Sequence, residues 1–346
     1  MKRKKLRWIA LIILVSLFFC SQEPIFSALV FAKEAQVPIS RAECVMEANS
    51  RRVLYESSGD LRLPMASTTK ITTALTVLDA CKDINEKIII SHEVVGIEGS
   101  SAYLKSGEEY SVEELLYGLM LRSGNDCAAA LALHCAGTLG EFATKMNKTA
   151  KSSGAIHTNF RNPHGLPCQN HYTTARDLSL ITCKALENST FKQIVSTQYY
   201  APRHWKNKNK MLTDYPGSIG VKTGFTKEAG RCLVTAAERN GMMIVCSVLN
   251  SPMMYERTAQ LLDDAFSSYS YVKLLSKSDV FEIDSGKGRY VASSRVDFFY
   301  PLLSGERENV EIQLLPLSTP LNQEIIGQIQ ISLAKELLFL GNLYKL

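Results

Sequence analysis

The sequence of 346 residues lacks the ligand patterns of common metal sites. It contains no Cys-x-x-Cys pair and no His-Glu-x-x-His segment, and its six histidines are scattered along the chain. Zinc sites in proteins depend on such closely spaced ligands. We therefore predict neither a metal site nor a cofactor.

The sequence also has little net charge beyond its first residues. The formal charge is +5, but residues 1–32 hold five basic side chains and one acidic side chain. The rest of the chain is left with a charge of about +1, so we predict no nucleic-acid partner. A hydrophobic share of 46% indicates a sizeable core, and the length favours about two domains.

No apolar run reaches the roughly 20 residues needed to span a bilayer. The chain starts with basic residues, continues with a mostly apolar run at residues 8–19, and has small-residue spacing at Val30-Phe31-Ala32. This order is typical of an export signal, so we predict a signal peptide at residues 1–32 that is cleaved after Ala32. A retained anchor at residues 8–19 and a lipidated Cys20 are the competing interpretations.

Cysteine is more abundant, since eight cysteines follow the predicted signal. In an exported chain this number is compatible with disulfides. Most of these cysteines, such as Cys232 and Cys246, stand within apolar runs, where Cys serves as a small core residue. We therefore expect mostly free, buried thiols.

Two β-hairpins are predicted far apart in the chain. The first covers residues 44–56 around Asn49-Ser50, and the second covers residues 232–249 around Asn240-Gly241. Asn-Gly between two apolar runs is the strongest short signal for a hairpin turn.

Helix patterns fill the region between the two hairpins. Ser111, Thr138 and Thr174 each stand three positions before an acidic residue, which is the signature of a helix start. Strands at both ends and helices in the middle predict an α/β fold for residues 33–275, with one sheet flanked by helices. Residues 276–346 show short alternating segments between Gly and Pro, which predict a small all-β C-terminal domain.

Ser67 and Lys70 form a Ser-x-x-Lys pair at the start of a predicted helix. Residues three apart share one face of a helix, so the hydroxyl and the amine can touch. At a helix start the backbone N–H of Ser67 also lacks an intrahelical partner and can face a developing oxyanion. Taken alone, such a pair is more often a solvated helix start.

Two further short segments follow in the chain. Ser123-Gly124-Asn125 lies between two helical runs and, taken alone, is a turn that caps the second helix. Lys222-Thr223-Gly224 precedes the second hairpin, where glycine on a strand edge would let an extended peptide pair with that edge. Its simpler interpretation is a surface hairpin with an exposed lysine.

In this order the three segments resemble those of the serine acyltransferases, which include penicillin-binding proteins and β-lactamases. The whole chain resembles the low-molecular-mass D-alanyl-D-alanine carboxypeptidases more closely, through residues 222–226, the following Ala229-Gly-Arg, the signal and the β-rich end. The resemblance implies a penicillin-binding or β-lactamase-like fold. It implies an enzyme that removes the terminal D-Ala from peptidoglycan stem peptides ending in D-Ala-D-Ala, with β-lactams as covalent inhibitors.

The resemblance makes Ser67 the nucleophile and Lys70 its base. Lys70 accepts a proton only when neutral, so its pKa must fall from about 10.4 toward about 7–8 through burial and a nearby cation, for which Lys222 is the candidate. Ser123 would relay a proton to the leaving amine. The implied substrate-binding residues are Asn125 for a substrate amide, Lys222 and Thr223 for the terminal carboxylate, and Gly224 and Phe225 beside the oxyanion, which the backbone N–H groups of Ser67 and Phe225 hold.

The sequence leaves open the roles of one basic residue and one basic stretch. Relatives often place a basic residue just before the last helix. Here Met253 and Met254 lie near that place and Arg257 lies slightly beyond it, so the carboxylate-binding role of Arg257 is left open. The basic stretch 203–210 either lines the cleft or is a solvated loop.

The end of the chain at residues 341–346 leaves no room for an amphipathic helix, so we expect no C-terminal anchor. Contact with the membrane remains compatible with the sequence. The expected location is outside the cytoplasmic membrane, associated with the cell wall or secreted.

Two alternatives belong to other classes. A class A β-lactamase needs a carboxylate that activates the deacylating water, and there is no Glu between Glu141 and Glu187. A non-catalytic penicillin-sensing or wall-binding protein on the same fold would not need Ser67, Lys70 and Lys222 together.

Overall fold

The structure is a computed structural model that describes residues 39–284, 288–321 and 324–346. The predicted signal peptide at residues 1–32 lies outside the described residues. Within the described ranges, no helix has the length and apolar character needed to cross a bilayer.

The α-helices of the described residues are numbered in chain order. They are α1 Thr69–Ala80, α2 Val112–Tyr117, α3 Asn125–Ala136, α4 Leu139–Ser152, α5 Ala175–Leu186, α6 Ser189–Ser196, α7 Met211–Asp214 and α8 Met254–Ser268.

The strands are numbered in the same way. They are β1 Ala42–Glu47, β2 Val53–Ser57, β3 Lys87–Ile89, β4 Glu109–Ser111, β5 Tyr199–Tyr200, β6 Trp205–Lys206, β7 Ser218–Thr226, β8 Gly230–Arg239, β9 Met242–Leu249, β10 Tyr269–Leu275, β11 Val280–Asp284, β12 Arg289–Ser293, β13 Phe298–Leu303, β14 Val310–Leu321, β15 Ile325–Leu333 and β16 Glu336–Lys345.

An antiparallel sheet in the order β2-β1-β9-β8-β7 forms the centre of the larger region. Side chains alternate between the two faces of a strand, so each face packs against different helices. Val45 and Cys246 share a core with α8, whereas Cys44 and Val245 join the core that contains α1, α3 and α5. The sheet is therefore flanked by helices on both faces, as predicted, and β7 is one of its edge strands.

The predicted hairpins and helix starts are present. Strand β1 pairs with β2, and β8 pairs with β9, both antiparallel. Asn240 and Gly241 have φ values of 52° and 80°, as a tight hairpin turn requires. Ser111 forms a capping box, and the side chains of Thr138 and Thr174 accept hydrogen bonds from the first turns of α4 and α5. Caps of this kind contribute about 1 kcal/mol each.

Strands make up the C-terminal segment, as predicted. A second antiparallel sheet in the order β11-β12-β16-β15-β14 buries Ile283, Ile329 and Leu343 in a core of its own. Strand β10 pairs with β13, so this pairing crosses the predicted boundary between residues 275 and 276. The division into residues 33–275 and 276–346 remains a prediction.

The eight cysteines of the described residues are all free. Cys81 and Cys135 are half-buried and Cys168 is exposed. The other five are buried, as expected for cysteines within apolar runs: Cys44, Cys127, Cys183, Cys232 and Cys246.

Candidate active site

Ser67 lies in a 3₁₀ turn, Ala66–Thr68, that leads directly into α1. Strand β7 passes beside this turn. A Cβ added to Gly224 would lie 3.1 Å from the backbone nitrogens of Ser67 and Thr68. Because glycine has no Cβ, the strand can approach the turn that carries the Ser67 hydroxyl.

Lys70 follows Ser67 by one helical turn, and its side chain is fully buried. Its Nζ lies 3.0 Å from the Oγ of Ser67, 2.7 Å from the Oδ1 of Asn125 and 2.6 Å from the backbone oxygen of His164. Burial, and then the charge of Lys222, hold the pKa of Lys70 well below its usual value. Both effects penalise the charged amine, so the neutral form that a base requires is favoured.

The three neighbours of Lys70 also orient its lone pair. A neutral amine has two N–H donors and one lone pair, whereas an amide oxygen and a backbone carbonyl only accept. The oxygens of Asn125 and His164 therefore take the two N–H groups, and the lone pair is left facing the hydroxyl of Ser67. The Asn125 amide is held in this orientation because its Nδ2 donates to the backbone oxygen of Glu98 at 2.6 Å.

Ser123 follows a π-helical turn, Gly118–Arg122, and has left-handed backbone angles, with φ 61° and ψ 34°. Such rare conformations are found at functional sites. The start of α3, directly after Ser123, is fixed by the buried carboxylate of Asp126. This carboxylate accepts hydrogen bonds from the Ser101 hydroxyl at 2.5 Å and from the backbone N–H of Ala102 at 3.0 Å. Ser123 is only 4% exposed and begins the segment that carries Asn125 to Lys70.

Lys222 lies on the edge strand β7, where it is 2% exposed. Its Nζ donates to the backbone oxygen of Thr223 at 3.0 Å. Burial, helped by the charge of Lys208, lowers the pKa of Lys222 to about 7. Next along the strand, Thr223 is half-buried and Phe225 is 64% exposed.

Lys208 comes from the basic stretch 203–210, whose role the sequence leaves open. Its Nζ donates to the hydroxyl of Ser100 at 3.2 Å, and its charge lowers the pKa of both Lys70 and Lys222. The stretch therefore brings a third cation to the cleft. Asn207 shapes the segment, because its Oδ1 accepts the backbone N–H of residue 209 at 3.0 Å.

Arg257 is not available for a substrate carboxylate. Its guanidinium makes two hydrogen bonds to the carboxylate of Glu43, at 2.8 and 2.7 Å. Glu43 is fully buried and Arg257 is 8% exposed. The charge of Arg257 is therefore paired inside the protein. Burial raises the pKa of Glu43, but the hydrogen bonds and charge of Arg257 contribute to a net lowering of that pKa.

The loop around His164 is a part of the site that the sequence does not reveal. The Oδ1 of Asn162 accepts the backbone N–H groups of Gly165 at 2.7 Å and of His164 at 3.3 Å, which shapes the loop. Gly165 has a φ of 88°, and a Cβ there would overlap the backbone oxygen of Ala66. The loop offers a backbone carbonyl to Lys70, and a backbone contact leaves no residue-type pattern in a sequence.

Residues 30–253 match the model of a protein family described as D-alanyl-D-alanine carboxypeptidase. The chain is 32% identical over 269 residues to D-alanyl-D-alanine carboxypeptidase DacF of Bacillus subtilis, covering 73% of this chain and 69% of the relative. It is 38% identical over 229 residues to the D-alanyl-D-alanine carboxypeptidase of Streptomyces sp. K15, covering 60% of this chain and 79% of the relative.

Solved structures share the fold. Penicillin binding protein 5 from Haemophilus influenzae is 26% identical and covers 89% of this chain and 96% of its own, with a TM-score of 0.74. The DD-transpeptidase of Streptomyces K15 is 34% identical and covers 67% of this chain and 99% of its own, with a TM-score of 0.63. The fold predicted from the three segments and the β-rich end is thereby confirmed.

Proposed function

Because the chain belongs to the D-alanyl-D-alanine carboxypeptidase family, we propose that Ser67, Lys70 and Ser123 are the residues that remove the terminal D-Ala from peptidoglycan stem peptides. The reaction proceeds through a serine acyl-enzyme, and penicillins acylate the same serine. The observation that carries the assignment of Ser67 and Lys70 is the buried Lys70 amine, 3.0 Å from the Ser67 hydroxyl and held by two groups that only accept hydrogen bonds.

The first step is proton transfer from Ser67 to neutral Lys70. A serine hydroxyl is a weak nucleophile until a base takes its proton. The freed oxygen attacks the carbonyl carbon of the penultimate D-Ala. The resulting oxyanion is held by the backbone N–H groups of Ser67 and Phe225. Gly224 has no side chain that would crowd the backbone nitrogen of Ser67.

In the second step the peptide bond breaks and the terminal D-Ala leaves as an amine. The proton now on Lys70 passes to the leaving nitrogen through the Ser123 hydroxyl. Asn125 holds Lys70 during this transfer, and contact of its amide with the substrate remains a prediction. Water then attacks the acyl-enzyme carbonyl and releases the shortened stem peptide.

The terminal carboxylate of the substrate is received by Lys222 and Thr223. Lys208 adds a positive charge at the same place, which compensates for the internal pairing of Arg257 with Glu43. A carboxylate beside Lys222 favours its charged form and so raises its pKa above the value of about 7 in the free protein. Substrate binding and protonation of Lys222 therefore support each other.

The enzyme acts outside the cytoplasmic membrane, where its substrate is found. Export would depend on the predicted signal peptide at residues 1–32, cleaved after Ala32. N-terminal sequencing of the protein from its host tests this part separately, since a protein that still begins at Met1 contradicts cleavage.

The residue assignment is tested by D-Ala release from a tripeptide ending in D-Ala-D-Ala. Ser67→Ala should abolish release and leave the melting temperature unchanged. Ser196→Ala, a matched change at an exposed serine at the end of α6, should retain full activity. Release by folded Ser67→Ala would contradict the assignment.

A further inference from the structure

Cys81 and Cys135 are a cysteine pair outside the active site. Their sulfur atoms lie 3.5 Å apart although the residues are separated by 54 positions in the chain. Both are half-buried, so small reagents can reach them. A disulfide bond needs about 2.05 Å between the sulfur atoms, which small side-chain rotations can reach from this distance.

The other thiols of the described residues are placed differently. Burial raises the pKa of Cys44 to about 12 and of Cys232 to about 11, so these thiols stay protonated and inert. Cys81 differs from these two buried thiols, because a hydrogen bond from Cys135 lowers its pKa. The thiolate is the form that attacks a disulfide, so Cys81 is the better attacking sulfur of the pair.

The pair joins two helices that both begin at the active site. Cys81 caps the end of α1, which starts just after Ser67, and Cys135 lies in the last turn of α3, which starts at Asn125. At their starts the helices are joined by the hydrogen bond between Lys70 and Asn125. Helix α1 has 12 residues and is about 18 Å long, so the sulfur atoms lie far from the reacting groups.

We propose that Cys81 and Cys135 form a reversible disulfide that locks the far ends of α1 and α3 and so stabilises the frame that carries Lys70 and Asn125. The physiological part of this proposal rests on the proposed export, because disulfides persist in oxidising compartments. The geometric part does not depend on it.

The oxidant is a disulfide, supplied by a small molecule or another protein. The Cys81 thiolate attacks one sulfur of this disulfide, forms a mixed disulfide and expels the first thiol. Cys135 then loses its proton, attacks the Cys81 sulfur and expels the second thiol. Two protein thiols are oxidised, one external disulfide is reduced to two thiols, and the two protons end on those products.

The test is to incubate the folded protein with oxidised glutathione and to analyse an unreduced tryptic digest. We expect a cross-linked pair of peptides, residues 71–82 with residues 123–145, and fragmentation should place the bond on Cys135 and not on Cys127. Cys81→Ser and Cys135→Ser should each lack the pair. Cys168→Ser, which removes the exposed cysteine, should keep it.

Stability supplies a second readout. A bond that closes a loop of 54 residues constrains the unfolded chain, so oxidation should raise the Tm by about 5 °C or more, and a reductant should reverse the rise. Neither serine variant of the pair should show the rise, and D-Ala release should continue in both redox forms.

Three results would overturn the proposal. The first is full alkylation of Cys81 and Cys135 by iodoacetamide after oxidation of the folded protein. The second is a link that forms only in denaturant, and the third is an oxidised form that melts at a lower temperature. When thiols in intact host cells are alkylated before lysis, we expect Cys81 and Cys135 to be linked and therefore not alkylated. Full alkylation of both would refute the physiological part of the proposal. This outcome does not depend on whether Ser67 is the nucleophile.

Discussion

Gly224→Ala tests the close approach of strand β7 to the turn that carries Ser67. The added Cβ would lie 3.0 Å from the backbone oxygen of Met65 and 3.1 Å from the backbone nitrogens of Ser67 and Thr68. These are backbone atoms, so the strand or the turn must shift by a few tenths of an ångström. The backbone angles of Gly224 suit other residues, so the effect is steric only.

The expected magnitudes follow from this displacement. Overpacking of this kind costs about 1–3 kcal/mol of stability. A misplacement of 1 Å costs about 100-fold in rate, so a smaller shift should slow acylation by a fluorescent penicillin about 10-fold, or about 1.4 kcal/mol in activation free energy. Gly140→Ala is the matched control, because a Cβ there meets nothing within 4 Å. Wild-type acylation and an unchanged Tm in Gly224→Ala would refute the reasoning.

Three further predictions concern the two lysines of the site, the buried pair of Arg257 with Glu43, and the loop around His164. Lys222 loses its positive charge as the pH rises through about 7, so KM for a substrate with a free terminal carboxylate should rise above that pH. The rate should fall at low pH, where Lys70 becomes charged; a flat pH profile would contradict both roles. Arg257→Ala should lower the free energy of unfolding in urea by about 3–5 kcal/mol, because Glu43 is left buried and unpaired. The control Arg295→Ala, at an exposed ion pair, should lower it by less than about 1 kcal/mol. Asn162→Ala should make the position of the His164 carbonyl less fixed. It should lower kcat about 10-fold and shift the acidic side of the pH profile of kcat. A variant that loses stability but keeps kcat and this profile would show that Asn162 has only a structural role.

Local signals explain why much of the fold could be predicted. The Asn240-Gly241 turn and the cap residues Ser111 and Thr174 act on backbone groups a few positions away, so their effect is encoded within a short window. The Ser67–Lys70 contact is equally local, because it follows from helical spacing.

Long-range contacts explain what could not be predicted. The pairing of Arg257 with Glu43 spans 214 positions, and it removes a candidate carboxylate-binding residue from the cleft. The approach of Cys81 to Cys135 depends on how α1 packs against α3. The lone pair of Lys70 is oriented in part by the backbone of His164, and a backbone carbonyl is offered by every residue type.

The central claim is that Ser67 is the nucleophile and Lys70 its base. It is tested most directly by intact-mass analysis after brief penicillin treatment, followed by tryptic mapping of the adduct. We predict one adduct per chain, in the peptide of residues 63–70, with fragmentation that places it on Ser67 and not on Thr68 or Thr69. Lys70→Ala should form the adduct far more slowly. An adduct on another residue, or none in a folded protein that releases D-Ala, would contradict the account.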